Sequence, residues 1–360
     1  MSMRSYDNMT IVPNVVSDVP HRSSVNTGVD CFGIHLDVPM VASPMPDVCN
    51  GKMAYALSNS ALGIIHRFQS IELQVYQYLE GFRSCNDEYI SSNFEHFRKN
   101  IACAIASTGD YQERFMELYK AGCRIFCIDT ANGSHTGTGV AVKWIREWEI
   151  KNGYDKLSIT KKDEKADKVY IIAGNVAAWT GYLYLASLGV DAARVGIAGG
   201  SVCETRNETG VYLPTLESVC RIVEERTKYM KYTDNKEWPL IIADGGIRRP
   251  ADMNIALACG ADLIMGGSIF SGYAEAPGQS FNENGVLYKH YRGAASFGVQ
   301  LEASGDEPDY VEGRETRILY KRGGVRRAIS QFKHGLQSCA SYVGALNLNE
   351  FRENVTVERL

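Results

Sequence analysis

The sequence predicts an α/β fold, a (β/α)8 barrel, on two observations. Eight short apolar runs recur along the 360 residues, and amphipathic stretches with helical spacing separate most of them. The runs lack polar alternation, which is typical of strands in a parallel sheet that is buried on both faces. In chain order the runs are VPMVAS (38–43), ALGIIH (61–66), ACAIAS (102–107), CRIFCID (123–129), VYIIAGN (169–175), DAARVGIA (191–198), PLIIADGG (239–246) and ADLIMGGS (261–268).

The length of the chain is consistent with one such barrel. A barrel of this class typically takes about 250 residues plus insertions, so residues 1–360 fit a single domain. The alternative is an open doubly wound sheet, but no GxGxxG follows the first run to support a dinucleotide-binding half. The clearest predicted helices cover 112–121, 137–150, 178–188, 216–228 and 251–259.

Three segments fall outside the repeat. The charged segment 150–168 is interpreted as a solvated surface insertion without a chemical role. The polar stretch 304–317, within a segment of about 298–322, is typical of a lid or flap over an active site. A final helix is predicted over 325–337.

Charge and cysteine content exclude several classes of function. The net charge of −4, with both signs interspersed, argues against nucleic-acid or membrane partners. The first residues carry neither an apolar signal region nor a small-residue cleavage site, and no apolar run reaches the ~18 residues of a membrane span, so we expect a cytoplasmic protein. The ten cysteines form no CxxC pair, which favours reduced thiols over disulfides or a zinc site.

Polar residues cluster where the predicted strands end, and the carboxyl ends of strands are where such barrels hold their chemistry. Glycine N–H groups at 199–201, 245–246 and 267–268, with the hydroxyls of Ser201 and Ser268, predict a phosphate site. The strand ends read SPMPD (43–47), HRF (66–68), DTANG (129–133), GN (174–175), GGSVC (199–203), DGG (244–246) and GGS (266–268).

Cys203 lies in the glycine-rich stretch 196–210, within a predicted catalytic loop over 196–215, and Thr205 follows two residues later. A thiol, a hydroxyl and an anion site together indicate covalent catalysis on a phosphorylated substrate. Glu312, in the predicted flap, is a third catalytic candidate. The alternative is a buried, inert cysteine beside a glycine turn, with Glu312 as a solvated surface carboxylate.

Two strand-end carboxylates also have two interpretations. Asp244 and Asp129 could accept hydrogen bonds from ribose hydroxyls or serve a cofactor or a proton relay, or each could cap the helix that follows it. His66 and Arg67 are equally open, because a strand-end histidine is often satisfied by the backbone.

Several motifs, in this order along the chain, resemble the IMP dehydrogenase/GMP reductase family from residue 6 to the C-terminal region. The reductase branch, in its bacterial form, is favoured by HRFQ, by DTANG, and by the absence of an Arg-Tyr pair from the flap. About 35 residues separate His66 from the third strand, which leaves no room for an inserted regulatory domain. The motifs are YDNMTIVP, VASPM, GIIHRFQ, AGNV, VGIAGGSVCETRNETG, IIADGGIRRPAD, MGGSIFSGYAEAPG, YRGAAS, VEGR and LQSCASYVGA.

This resemblance implies that GMP is reductively deaminated to IMP and ammonia with NADPH. Cys203 would attack C2 of the purine, and Thr205 would relay a proton from Glu312 to the departing amine. The resemblance also implies a homotetramer, and it leaves open a K⁺ site on the backbone of Gly199 and Cys203. The implied GMP ligands are Ser201, Asp244, Gly245, Gly246, Gly267, Ser268 and Tyr291, and those facing the nicotinamide are Asp129, Ala131, Asn132 and Gly133.

The chain departs from the family pattern at a few positions. Gly199-Gly200 replaces the usual Pro-Gly, Glu204 places a carboxylate beside the thiol, and the loop after Gly210 lacks a glycine or glutamine found in many relatives. Arg67 stands where some reductases carry a lysine. Three alternatives therefore stay open: an NAD-dependent IMP dehydrogenase, a catalytically silent purine-nucleotide-binding paralogue, and an unrelated FMN-dependent barrel.

Overall fold

Eight parallel strands close into a barrel in the computed structural model, which describes residues 2–84, 88–152, 168–231 and 237–360. Among these residues the strands are β1 (Met9–Val12), β2 (Val29–Cys31), β3 (Ile34–Leu36), β4 (Met40–Ala42), β5 (Leu62–Ile65), β6 (Ile101–Ile105), β7 (Ile125–Asp129), β8 (Tyr170–Val176), β9 (Ala192–Val195), β10 (Leu240–Asp244), β11 (Leu263–Gly266), β12 (Phe281–Glu283), β13 (Val286–Arg292), β14 (Glu315–Leu319) and β15 (Thr356–Arg359).

Helices follow most of the barrel strands, as the repeat predicts. Two short 3₁₀ turns, Arg22–Ser24 and Gly81–Ser84, add to them. The described α-helices are α1 (Gly51–Leu57), α2 (Ile71–Glu80), α3 (Glu88–Ser92), α4 (Phe94–Arg98), α5 (Tyr111–Lys120), α6 (Thr136–Lys151), α7 (Trp179–Ser187), α8 (Thr205–Thr209), α9 (Thr215–Met230), α10 (Pro250–Ala258), α11 (Phe297–Ser304), α12 (Arg326–Tyr342) and α13 (Leu348–Asn354).

The barrel consists of β4 to β11, each parallel to the next, and β11 pairs back onto β4 with Ile264 opposite Met40. Alternate residues of one strand enter different layers. In β4, Val41 belongs to the cluster inside the barrel, whereas Met40 and Ala42 pack outward in the helix-facing core. Both faces of each strand are therefore apolar, which explains the continuous apolar runs and confirms the predicted (β/α)8 fold.

The hairpin β2–β3 packs at the amino-terminal end of the barrel. Phe32, at its turn, contacts the ring of Tyr170 edge to face at 6.1 Å between centroids, and Tyr170 is the first residue of β8. Leu36 and Cys31 of the same hairpin join the apolar cluster inside the barrel. The strand ends that carry the predicted site residues lie at the opposite, carboxyl end.

Besides the β2–β3 hairpin, two small antiparallel sheets lie outside the barrel among the described residues, and the sequence analysis did not predict them. β1 pairs with β15, so that Met9 lies opposite Arg359. β12, β13 and β14 form a three-stranded sheet, in which β14 falls within the predicted flap segment 298–322. That segment also contains most of α11, so the flap has more regular structure than its polar composition indicates.

Two predicted boundaries need comment. The final helix extends to Tyr342 rather than to residue 337, because buried Ala340 continues its apolar face. The predicted surface insertion 150–168 lies outside the described residues over 153–167. Within the described part of the chain, the search for a helix long and apolar enough to cross a membrane finds none.

Candidate active site

A cavity of about 830 Å³ opens at the carboxyl end of the barrel, between the strand ends, the stretch 196–210 and the flap. Most of the residues predicted for the site line it. These are Asp129, Ala131, Gly199, Ser201, Cys203, Thr205, Asp244, Gly245, Gly246, Gly267, Ser268, Tyr291 and Glu312.

The predicted catalytic loop, residues 196–215, lies close to the end of β10. Gly196 has φ +139°, and a Cβ atom there would lie 2.1 Å from the carbonyl oxygen of Asp244. A side chain at this position would therefore push the loop away from β10. Thr215 adds a hydrogen bond from its Oγ1 to the same carbonyl oxygen, at 3.1 Å.

Three predicted catalytic residues form a hydrogen-bonded series, called the relay below. The Cys203 thiol donates to Thr205 Oγ1 at 3.3 Å, and the Thr205 hydroxyl donates to Glu312 Oε2 at 2.7 Å. Cys203 is half-buried, so its sulfur is neither an inert core thiol nor freely solvated. The series can move a proton between the sulfur and the carboxylate.

The backbone joins the flap to the catalytic loop and so places Glu312. The N–H of Glu204 donates to the carbonyl of Glu312 at 2.8 Å, and the N–H of Arg314 donates to the carbonyl of Val202 at 3.0 Å. Gly313, between these bonds, is buried, and a Cβ atom there would lie 2.7 Å from the backbone nitrogen of Ser296. Only glycine permits this close approach.

Glu204, the unusual neighbour of the thiol, has other partners. Its carboxylate accepts a hydrogen bond from Asn207 Nδ2, and its Oε1 lies 3.6 Å from Arg314 Nε. Its negative charge is therefore shared with an amide and a guanidinium group. The carboxylate beside the thiol therefore has polar partners of its own in the flap and in α8.

The three glycine segments predicted to hold a phosphate converge in the cavity. Gly245 and Gly246 have φ +98° and +80°, and a Cβ atom on Gly245 would lie 2.9 Å from the backbone of Gly199. A Cβ atom on Gly267 would lie 2.5 Å from the hydroxyl of Tyr291. Burial raises the pKa of Tyr291 to about 12, so its phenol is a neutral hydrogen-bond donor at neutral pH.

A buried arginine that the sequence analysis missed lies between the two strand-end carboxylates. Arg194 donates from Nη1 to Asp129 Oδ1 at 2.7 Å and from Nη2 to Asp244 Oδ2 at 2.9 Å. Asn175 Nδ2 also donates to Asp244 Oδ2, at 2.7 Å. We call Asp129, Arg194 and Asp244 the carboxylate clamp. Its signal in the sequence is a single basic residue inside the apolar run 191–198.

The helix caps exclude one of the two interpretations of these carboxylates. Helix α6 is capped by His135 and α10 by Arg249 with Asp252, so neither Asp129 nor Asp244 caps the helix that follows it. Burial by itself would raise the pKa of Asp129, but the neighbouring guanidinium groups of Arg194 and Arg67 outweigh it and hold the pKa below its ordinary value.

The two residues after β5 have different environments. Arg67 lines the cavity, with Nε 3.3 Å from Asp129 Oδ2 and its guanidinium 4.5 Å from the centre of the Phe68 ring. His66 is buried, and its Nδ1 has no hydrogen-bond partner among the described residues. Burial lowers the pKa of His66 to about 4, so its ring is neutral at neutral pH.

Two residues predicted to face the nicotinamide do not line the cavity. The N–H of Gly133 donates to the carbonyl of Asn175 at 2.8 Å, and Gly133 is buried against Gly174. Asn132 is exposed, and its side chain accepts from the N–H of Ser134. Across the described ranges, no group of three or more His, Cys, Asp or Glu residues could hold a metal ion.

Comparison with known proteins identifies the family. The model of the "IMP dehydrogenase / GMP reductase domain" matches residues 3–360. An inosine-5'-monophosphate dehydrogenase of Borreliella burgdorferi is 29% identical over 97% of this chain and 92% of its own length. That of Chlorobaculum parvum is 33% identical over 74% of this chain and 51% of its own length, so this chain matches about half of it. The chain belongs to the IMP dehydrogenase/GMP reductase family.

Proposed function

We propose that this protein is an NADPH-dependent oxidoreductase that deaminates GMP to IMP and ammonia. The observation that carries the proposal is the relay, in which a thiol, a hydroxyl and a carboxylate stand in hydrogen-bond contact beside converging glycine N–H groups. The flap segment 298–322 contains no Arg-Tyr pair, the feature that activates water in the dehydrogenase branch of the resemblance. This favours a reaction in which an amine leaves over one in which water attacks.

The relay supplies a balanced route for the proton of the first step. The Cys203 thiol gives its proton through Thr205 to Glu312, and the resulting thiolate adds to C2 of the purine. Glu312 returns that proton through Thr205 to the amine, the C2–N bond breaks, and ammonia leaves. The purine is then held on Cys203 through a C2–S bond, and no redox change has occurred.

The nucleotide would be held at the cavity end where the glycine segments meet. Backbone N–H groups of Gly245 and Gly246 with the hydroxyls of Ser201, Ser268 and Tyr291 are donors suited to a phosphate. Asp244, fixed by Arg194 and Asn175, offers carboxylate oxygen to ribose hydroxyls.

The remaining cavity wall suits a nicotinamide coenzyme. Beyond Cys203 it is formed by Asp129, Thr130 and Ala131, with Arg67 and Phe68 beside them, and the volume is ample for a second ring. When bound, the coenzyme supplies the hydride that replaces the C2–S bond with C2–H. Asp129 and Arg67 would orient its polar groups, and the Cys203 thiolate leaves with the bonding electrons.

An IMP dehydrogenase is the second candidate, because the named relatives are dehydrogenases of that kind. The same relay could accept a proton from water.

A K⁺ ion on the backbone carbonyls of Gly199 and Cys203 and a homotetrameric assembly are further parts of the proposal. The first is checked by replacing K⁺ with Li⁺ in the assay, and the second by light scattering.

Parallel assays separate these candidates. Purified protein is supplied with GMP and NADPH, or with IMP and NAD, and absorbance at the reduced nicotinamide band is followed with ammonia release. We expect NADPH consumption with one ammonia per turnover from GMP alone. NADH formation from IMP would establish the dehydrogenase instead. Silence in both with intact nucleotide binding would establish a binding-only protein, and bound flavin colour would indicate an FMN enzyme.

A further inference from the structure

The guanidinium of Arg314 bridges the flap and the catalytic loop. Its Nε and Nη2 atoms donate to the carbonyl of Ser201 at 3.0 and 2.6 Å, and Nε also faces Glu204 Oε1 at 3.6 Å. Arg314 lies two residues after Glu312, and Glu204 and Ser201 flank Cys203 within two residues. The contact therefore links the immediate neighbours of the two ends of the relay.

We propose that Arg314 and Glu204 form a clasp that holds the flap on the catalytic loop and so keeps Glu312 in contact with Thr205. Both are positioning residues, because neither belongs to the relay. This inference rests on the proposed function for its kinetic readout only, since the chemical accessibility of Cys203 can be measured without turnover.

The two parts of the clasp contribute unequally. The Arg314 side chain is 58% exposed, so its ion pair with Glu204 is screened by water and holds the flap weakly by itself. The two hydrogen bonds to one carbonyl fix the plane of the guanidinium and are charge-assisted, so they carry most of the attachment. Glu204 acts mainly by keeping the guanidinium over Ser201.

The rest of the flap attachment explains why such a clasp matters. The two backbone bonds, from Glu204 to Glu312 and from Arg314 to Val202, form only a single ladder step between the flap and the catalytic loop. The other backbone contacts of Gly313 and Arg314 run to the segment after β13, where the N–H of Gly293 donates to the carbonyl of Arg314 at 3.1 Å. Residues 304–310 of the flap are mostly exposed and bury little apolar surface. A segment with few buried contacts opens easily, and losing the clasp would free Glu312 from Thr205.

The test is the rate at which iodoacetamide alkylates Cys203, read by mass spectrometry of its peptide between pH 6 and 9.5 in the absence of nucleotide. In Arg314→Met we expect the limiting rate at high pH to rise about fivefold, because the flap no longer shields the sulfur. The limiting rate at high pH compares thiols that are fully ionised, so it reports access to the sulfur rather than the extent of ionisation. The limiting rate of Arg314→Lys, which keeps one charged donor, should lie between those of the wild type and Arg314→Met.

Arg317→Met is the matched control, because Arg317 lies three residues further along the chain, in β14, and pairs with Glu283 and not with the catalytic loop. Its alkylation rate should equal that of the wild type. Limiting rates of Arg314→Met and Arg314→Lys within twofold of the wild type would overturn the clasp, whatever substrate the protein uses.

Turnover gives a second, independent readout. In Arg314→Met, kcat should fall about tenfold with KM for the nucleotide changed less than about threefold, since a small displacement of a proton donor slows chemistry without removing ligands. Glu204→Gln should lower kcat about threefold, and the double variant should be no slower than Arg314→Met. Additive losses, or a loss confined to KM, would contradict positioning through one clasp.

Discussion

The carboxylate clamp and the relay lie in one cavity but are held in different ways. The clamp is built from residues of β7, β9 and β10, and the guanidinium of Arg194 is buried between its two acids. The relay is built from two segments outside the barrel strands, and Thr205 and Glu312 are 107 residues apart in sequence. One half of the site is part of the core, and the other depends on how the flap is attached.

This difference separates binding from chemistry. Opening the clamp would disrupt buried ion pairs between barrel strands, which costs a large free energy. Opening the relay breaks a few hydrogen bonds on an exposed segment, which costs little. We therefore expect variants of the clamp to change stability and ligand binding, and variants of the relay to change kcat.

Removing the nucleophile should have the largest effect. Cys203→Ala should lower kcat by at least about 10³-fold, because no other group can form the covalent bond, while nucleotide affinity stays within about threefold. Steady-state assays and titration calorimetry with GMP check the two halves of this expectation. Cys339→Ala, on α12 and away from the cavity, is the control and should keep full activity. Normal turnover by Cys203→Ala would contradict covalent catalysis through Cys203.

Breaking the clamp should next affect folding itself. Arg194→Met leaves Asp129 and Asp244 buried without their shared cation, and we expect the free energy of unfolding to fall by about 3 to 5 kcal/mol. Urea denaturation measures this change. Lys228→Met, which breaks an exposed ion pair with Glu225, should leave the free energy of unfolding nearly unchanged. If the free energy of unfolding falls equally little in both variants, the clamp does not stabilise the barrel.

Relay variants should be slow but stable. Thr205→Val removes the hydroxyl between thiol and carboxylate and should lower kcat by about 10 to 100-fold with an unchanged unfolding midpoint. Glu312→Gln should match it, because both interrupt one proton path. Thr209→Val, in the same helix α8 and outside the cavity lining, should remain within about twofold of the wild type. If the two variants lower kcat unequally, and the losses multiply when Thr205→Val and Glu312→Gln are combined, the two residues do not share one proton path.

The smallest effect concerns the pH dependence of stability, to which His66 contributes. This residue belongs to the half of the site that is part of the core. Its pKa is lowered by burial from 6.5 to about 4 in the folded protein, so between these values the unfolded chain binds more protons. The free energy of unfolding should therefore fall as the pH drops from 7 to 5, by roughly 1 to 2 kcal/mol from this group. His66→Phe should lose that part of the slope, and the exposed His334→Gln should keep it. An unchanged slope in His66→Phe would show that burial does not lower the pKa of this ring.

The barrel and the strand-end residues could be predicted because their signal is local. Strands buried on both faces give uninterrupted apolar runs, and parallel strands place all their carboxyl ends at one rim, so Asp129, Cys203 and Asp244 follow from the repeat alone. Their catalytic and binding roles remain predictions.

What the sequence did not reveal depends on pairing over long distances. β1 and β15 join the two ends of the chain, and no local pattern in either strand indicates its partner. Arg194 lies inside an apolar run, and nothing near it in the sequence indicates an ion pair, because its partners come from two other strands. The bond between Glu204 and Glu312 is made by backbone atoms, which every sequence offers equally.

The most direct test of the central claim is the chemical state of Cys203 during turnover. The protein is mixed with GMP and NADPH, quenched with acid, and its peptides are analysed by mass spectrometry. A purine nucleotide that has lost ammonia should be bound to the Cys203 peptide, and Cys203→Ala should form no such adduct. Turnover of GMP with no adduct on this peptide, or an adduct that forms only from IMP with NAD, would contradict reductive deamination through Cys203.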